Sequence, residues 1–188
     1  MNYYSLAASL PTLSLDQPAP LTSQRFRAFC DGQLTAGDAA GLAELDAAPD
    51  APVCHPFVTL WHGREAWLRN TIVRARAARL QSPAERWIRA ASDADAFVQH
   101  GVHLALARPD PLEREMALDR LRWQVLDELA GVNPFAAAAI LAYAVRLRLV
   151  ERWNRLRATD GTEALQAALQ HDWLGERSTP RRPAERAA

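Results

Sequence analysis

Residues 110–131 read DPLEREMALDRLRWQVLDELAG, and residues 133–153 continue NPFAAAAILAYAVRLRLVERW. The opening Asp-Pro pair is typical of a helix start, because the Asp side chain caps a free backbone N–H and proline fits the first helical position. Gly131 is typical of a helix end. The Asn-Pro pair that follows repeats the start signal, so a second helix should run to about Ala158. Both helices are apolar on more than one side and their connection is short, which predicts an antiparallel hairpin at the core.

The rest of the chain repeats this pattern of capped helices. Ala, Leu and Arg dominate the 188 residues, all 22 basic residues are Arg, and these residue types favour helices. No stretch shows the sustained alternation of a strand. We therefore predict an all-α, single-domain bundle of about seven or eight helices over residues 1–175, and a disordered tail over 176–188. With their caps, the expected helices span 22–30, 35–47, 56–80, 82–91, 92–107, 110–131, 133–158 and 162–174.

Composition also narrows the class of protein. Lys+Arg 22 against Asp+Glu 22 gives a formal net charge of zero, which argues against a general polyanion binder. The longest apolar run, 135–145, is too short to cross a bilayer. No basic residue precedes Arg25, so the basic region of a signal peptide is missing. We expect a cytoplasmic protein in which Cys30 and Cys54 are reduced thiols.

The sequence offers little catalytic chemistry. It has no Gly-rich phosphate loop, no nucleophile elbow and no paired-His zinc helix with a Glu. His100 and His103 can share a helix face, but a metal site would need a third ligand, and Asp93 or Asp95 lies two turns away. We therefore predict no catalytic residue, no metal and no cofactor, and we expect a protein that is not an enzyme.

Two charged residues fall on apolar helix faces. Arg64 lies on a face with Phe57, Leu60, Trp61, Leu68 and Ile72. Asp119 lies in a stripe with Leu112, Met116, Trp123 and Leu126. Because a lone buried charge is costly, we predict that Asp119 pairs with Arg64 or, failing that, with Arg146 on the next helix. The alternative is that Arg64 snorkels past its neighbours and Asp119 is solvated.

Other arginines lie outside the apolar faces and are candidates for contacts with a partner. They are Arg69, Arg74, Arg76, Arg148, Arg152 and Arg155.

Three segments resemble a known family. Residues 3–16, YYSLAASLPTLSLD, are similar to the "YY-LVASLP-LSLD" start of an uncharacterised bacterial family that is encoded among V/A-type ATPase genes. Residues 67–76 resemble its Arg-Asn helix. Residues 141–153 resemble its "LAY-LKL-LLERW" helix, which also looks like a helix of the V/A-type ATPase C subunit (eukaryotic subunit d).

The resemblance implies a partner as well as a fold. The C subunit is an all-helical funnel that is seated on the membrane rotor and receives the central stalk. By resemblance, this chain is a non-catalytic accessory or C-subunit-like rotor adaptor, whose partners are ATPase subunits of the central stalk or membrane rotor. It would then lie in the cytoplasm, peripheral to the inner membrane through the complex.

The alternative hypothesis is a small regulatory or nucleic-acid-binding helical module that uses Arg69, Arg74 and Arg76. Phosphate contacts would make its binding strongly dependent on salt. Basic and acidic segments alternate along the chain, however, and that alternation favours pairing between neighbouring helices.

Overall fold

The computed structural model describes residues 2–47, 51–91 and 95–158, with side chains up to residue 156. Within these ranges the chain is all-α, which confirms the predicted fold class, and its only β feature is an isolated bridge between Asn2 and Ala136. The helices are α1 (Tyr4–Ser9), α2 (Ser23–Cys30), α3 (Ala36–Glu44), α4 (Pro56–Leu80), α5 (Ala96–Leu106), α6 (Pro111–Ala130) and α7 (Ala137–Ala158).

The helix starts follow from local capping. Thr22, Asp95 and Asp110 each accept hydrogen bonds from backbone N–H groups in the first turn of α2, α5 and α6. Such a cap contributes about 1 kcal/mol. Helix α6 ends at Gly131, whose φ of 70° favours glycine. The starts of α2 and α6 and the end of α6 agree with the sequence prediction, whereas α5 is capped by Asp95 and not at the predicted residue 92, and α7 begins at Ala137 and not at the predicted 133.

Helices α6 and α7 pack antiparallel to each other. Asp127 is bonded to Arg146 near the connection, and Asp119 is bonded to Arg152 two turns further along. Helix α4 lies beside α6 and α5, while α2 and α3 cover α7. One core cluster takes buried side chains from all seven helices, among them Leu6, Phe26, Leu42, Val58, Val98, Leu126 and Leu141.

The helix predicted over 82–91 is wrong. Only a 3₁₀ turn forms there, at Glu85–Trp87. Asn70 on α4 explains why: its side-chain amide donates to the carbonyl of Arg89 at 2.8 Å and accepts from its N–H at 3.0 Å. Asn70 is 2% exposed, so this bidentate bond is protected from water and holds the segment beside α4 in a non-helical form.

Smaller differences concern faces and ends. Leu60, predicted on the buried face of α4, is 57% exposed, and its neighbour Val58 is fully buried in its place. Helix α1 was not predicted; it carries no side-chain cap and is anchored by the buried Leu6. The predicted helix 162–174 and the tail 176–188 lie outside the described residues. No helix in the described part of the chain combines the length and apolar character needed to span a membrane.

Candidate functional site

Asp119 lies at the centre of the largest charge network of the bundle. Its side chain is completely buried, and both carboxylate oxygens are used. Oδ1 accepts from Arg122 Nη1 at 2.9 Å, while Oδ2 accepts from Arg152 Nη2 at 2.6 Å and from Trp153 Nε1 at 2.8 Å. The carboxylate is therefore charge-compensated and hydrogen-bonded from two helices, which is what a buried charge requires.

Arg122 extends this network to α4. Its Nε and Nη2 donate to the two oxygens of Glu65 at 2.9 and 3.1 Å, which forms a bidentate pair. Burial acts to lower the pKa of Arg122, but the carboxylates of Glu65 and Asp119 outweigh it and raise that pKa. The guanidinium therefore stays charged inside the bundle and links α4 to the α6–α7 pair.

The predicted partners of Asp119 are wrong. Arg64 instead pairs with Asp95 at the start of α5 and, at 3.2 Å, with Glu128 on α6. Arg146 pairs with Asp127 at 2.5 Å and stacks over a Trp ring. The helical wheel placed each charge on the correct helix face but could not give the axial register between helices, and the register decides which charges meet.

Two of the predicted contact arginines on α7 bond within the chain. Arg152 holds Asp119, and Arg148 Nη1 donates to the carbonyl of Leu45 at 2.7 Å. Arg148 also pairs with Asp46 at 2.5 Å, just beyond α3. These two arginines therefore tie α7 to neighbouring elements. Arg155 is exposed near the end of α7 and also takes part in a contact.

The three candidate contact arginines on α4 have different surroundings. Arg69 is 59% exposed and donates to Glu65 of its own helix at 2.7 Å. The guanidinium of Arg74 stacks over the Trp67 ring at 5.2 Å. Arg76 is exposed and lines a cleft. Its role in binding a partner stays a prediction.

A second polar cluster joins the N-terminal segment to α3 and α4, and sequence reasoning missed it. Asp38 accepts hydrogen bonds from the hydroxyls of Tyr3 and Thr35. Its other oxygen lies 3.2 Å from Nε2 of His55. Burial acts to raise the pKa of Asp38, but these hydrogen bonds outweigh it and hold the pKa below its usual value. The Thr35–Asp38 spacing was readable in the sequence, whereas the other two partners lie far along the chain.

This cluster is built to hold the fold together. Nδ1 of His55 accepts the backbone N–H of Phe57 at 3.2 Å and so caps α4. With Nδ1 accepting, Nε2 carries the proton that points at Asp38. The lone pair of Nδ1 and the N–H of Nε2 are then both engaged within the fold, so neither ring nitrogen is free to exchange a proton with a substrate.

The described surface has several clefts, of which three lie near the predicted site residues. The α6–α7 cleft has a volume of about 480 Å³ and is lined by Arg108, Leu112, Glu113, Met116, Arg120, Trp153 and Leu156. The N-terminal cleft, of about 300 Å³, lies between residues 10–13 and α7. The basic cleft, of about 350 Å³, is lined by Ala75, Arg76, Arg79, His103, Leu106, Ala107, Pro111, Arg114 and Glu115.

The described residues also contain no set of side chains that could bind a metal ion. Among residues 2–47, 51–91 and 95–156, no group of three or more His, Cys, Asp or Glu side chains is arranged to hold an ion. His103 lines the basic cleft, whose described lining includes three arginines and one acid, Glu115.

The fold and its interior define a helical bundle cross-linked by buried ion pairs. Residues 100–171 match a family described as "Protein of unknown function (DUF2764)". No curated protein and no solved structure matches the chain. The matched stretch contains α6, α7 and every residue named above for the α6–α7 cleft, so the chain is similar to that family over its hairpin.

Proposed function

We propose that the protein is a non-catalytic accessory, or C-subunit-like rotor adaptor, of a bacterial V/A-type ATPase, and that it acts through protein–protein contacts. The proposal places it in the cytoplasm, peripheral to the inner membrane through the complex. It rests on the resemblance of residues 3–16, 67–76 and 141–153 to the family encoded with ATPase genes.

One structural observation supports the proposal: the first and last of these segments lie against each other. The Tyr143 hydroxyl donates to the carbonyl of Pro11 at 2.9 Å. Leu15 packs beside Trp153 near the other end of α7. Two of the segments that resemble the family are thus in contact with each other. This contact favours a shared fold over a chance likeness between separate helices.

The α6–α7 cleft is the best-supported place for a partner subunit. Leu112 and Leu156 are 59% and 52% exposed there, although large apolar side chains favour burial. At its edge Arg108 lies 3.8 Å from Glu113 and Arg120 bonds to Asp16 at 3.3 Å, so the charges there are paired within the chain and an apolar side chain fits the cleft best. Of the three clefts, this one alone has all its described lining residues within the matched stretch.

Affinity purification of the tagged full chain from its native host tests the proposal. ATPase subunits should co-purify, and the purified chain alone should not hydrolyse ATP. Leu112→Asp should reduce this recovery because it places a charge in the cleft. Leu60→Asp is the matched control, since Leu60 is 57% exposed and does not line this cleft. Absence of ATPase subunits from the wild-type pull-down contradicts the proposal.

The nucleic-acid alternative is supported by one observation, the exposed arginines at the end of α4. It predicts that RNA or DNA is recovered in place of ATPase subunits. Its binding should weaken steeply with salt and should not require a protein partner.

A further inference from the structure

The basic cleft gathers basic side chains from three helices. Arg76 and Arg79 come from the end of α4, His103 from the last turn of α5, and Arg114 from the first turn of α6. Ala and Leu side chains and Pro111 form its apolar walls. The cleft is concave and of small-molecule size.

The positive charge of the cleft's arginines is not neutralised within the described chain. Elsewhere in the bundle, guanidinium groups face carboxylates, as Arg122 and Arg152 do. In the described ranges, Arg76 and Arg79 have no ion pair, hydrogen bond or aromatic ring as a partner. Being three residues apart, they are like-charged neighbours on one helix face. Glu115, the cleft's single acid, lies 3.5 Å from Arg152 and is shared with that arginine.

Arg114 is fixed in an unfavourable position. Its Nε and Nη2 donate to the carbonyls of Arg108 and Pro109 at 2.5 and 3.1 Å, which orient the guanidinium without neutralising it. It also lies in the first turn of α6, at the positive end of the helix dipole. Favourable helix-end electrostatics can account for Arg79, which lies in the last turn of α4. They do not account for Arg114.

We propose that the basic cleft binds the phosphate group of a small phosphorylated ligand or of free phosphate. Guanidinium groups bind phosphate oxygens through paired donors, and a dianion compensates several converging cations better than a single carboxylate does. The apolar walls beside the cations suit a phosphomonoester with an apolar body. This site lies apart from the α6–α7 cleft and goes beyond the proposed ATPase role.

Thermal melts of the full chain at constant ionic strength test the site, with inorganic phosphate and phenyl phosphate as separate probes. Either probe at about 10 mM should raise the Tm, because a ligand that binds only the folded state stabilises it. A larger shift with phenyl phosphate identifies a phosphomonoester as the preferred source, and an equal shift identifies free phosphate.

The double variant Arg76→Gln/Arg79→Gln should weaken phosphate affinity at least about tenfold, measured by calorimetry, because two charged hydrogen-bond donors are lost. Arg74→Gln/Arg86→Gln is the matched control: it removes the same charge from two exposed arginines that stack on Trp rings outside the cleft. The control should keep wild-type affinity.

Three results would overturn the proposal. One is no shift with either probe, and another is an equal loss of affinity in both double variants, which would show general charge attraction. The third is tight binding of a short single-stranded RNA through Arg76 and Arg79 with no response to either probe. All four substituted side chains are exposed, so loss of folding does not confuse the comparison.

Discussion

Replacing Asp119 by alanine tests the buried charge network directly. The substitution removes the carboxylate that accepts from Arg122, Arg152 and Trp153. Arg122 keeps its bidentate bond to Glu65, whereas Trp153 loses its only described hydrogen-bond partner. The variant therefore leaves a polar N–H and a guanidinium without the acceptor around which they are arranged.

The expected loss follows from burial. Asp119 is 0% exposed, and removing one member of a buried ion pair costs about 3–5 kcal/mol. Asp127 on the same helix is the matched control, because it also pairs with an α7 arginine but is 61% exposed. Asp127→Ala should cost less than about 1 kcal/mol, as exposed pairs do. The loss expected for Asp119→Ala is a large fraction of the about 5–15 kcal/mol that stabilises a small domain, so this variant should unfold at a clearly lower urea concentration than the wild type.

Urea melts followed by circular dichroism give both free energies of unfolding. A double-mutant cycle with Arg152→Ala should show coupling of at least about 1 kcal/mol, whereas the cycle with Arg64→Ala should be additive within about 0.5 kcal/mol. If Asp119→Ala lowers the free energy of unfolding no more than Asp127→Ala does, or if it couples to Arg64, the network around Asp119 does not stabilise the fold.

Three further perturbations probe other parts of the molecule. Gly41→Ala should lower the Tm, because the new Cβ would lie 2.6 Å from the His55 ring, while Gly37→Ala in the same helix meets no atom within 4 Å and should be neutral or stabilise by up to about 1 kcal/mol; equal effects would contradict this. The depressed pKa of Asp38 means that its contribution to stability is complete above about pH 4 and is lost as pH falls through the folded-state pKa. The stability difference between wild type and Asp38→Asn should therefore shrink in acid urea melts, and a constant difference would refute the assignment. Burial raises the pKa of Cys30 to about 11, whereas Cys54 is exposed. Iodoacetamide at about pH 8 should therefore label only Cys54 in the native protein and both cysteines in urea, as counted by mass spectrometry. Double labelling of the native protein would show that Cys30 is accessible.

Sequence reasoning succeeded where structure is decided locally. The starts at Thr22 and Asp110 depend on a side chain and the N–H groups two or three residues away, so both could be read from the chain. The segment 82–91 failed because Asn70, on a different element, engages its backbone. A helix cap depends on residues close together in the sequence, whereas the contact between Asn70 and Arg89 depends on the tertiary structure.

The candidate site shows the same division. The position of Asp119 on a packed face followed from helical periodicity, and its partner Arg122 was readable as an opposite charge three residues along the same helix. Arg152 was not, because its contact requires the register between α6 and α7. Single-helix wheels therefore find the residues of a buried network more readily than they find its pairs.

A net charge of zero hides an uneven distribution of charge in this protein. Acidic side chains such as Asp119 and Glu65 form ion pairs with arginines in the interior and between helices. The last turns of α4 carry Arg76 and Arg79 on the surface without such partners in the described chain. Sequence balance argued against polyanion binding in general, but folding concentrates unneutralised positive charge at one end of the bundle. The proposed anion recognition is therefore a local property of the basic cleft, and it is compatible with the proposed protein-binding surface at the α6–α7 cleft.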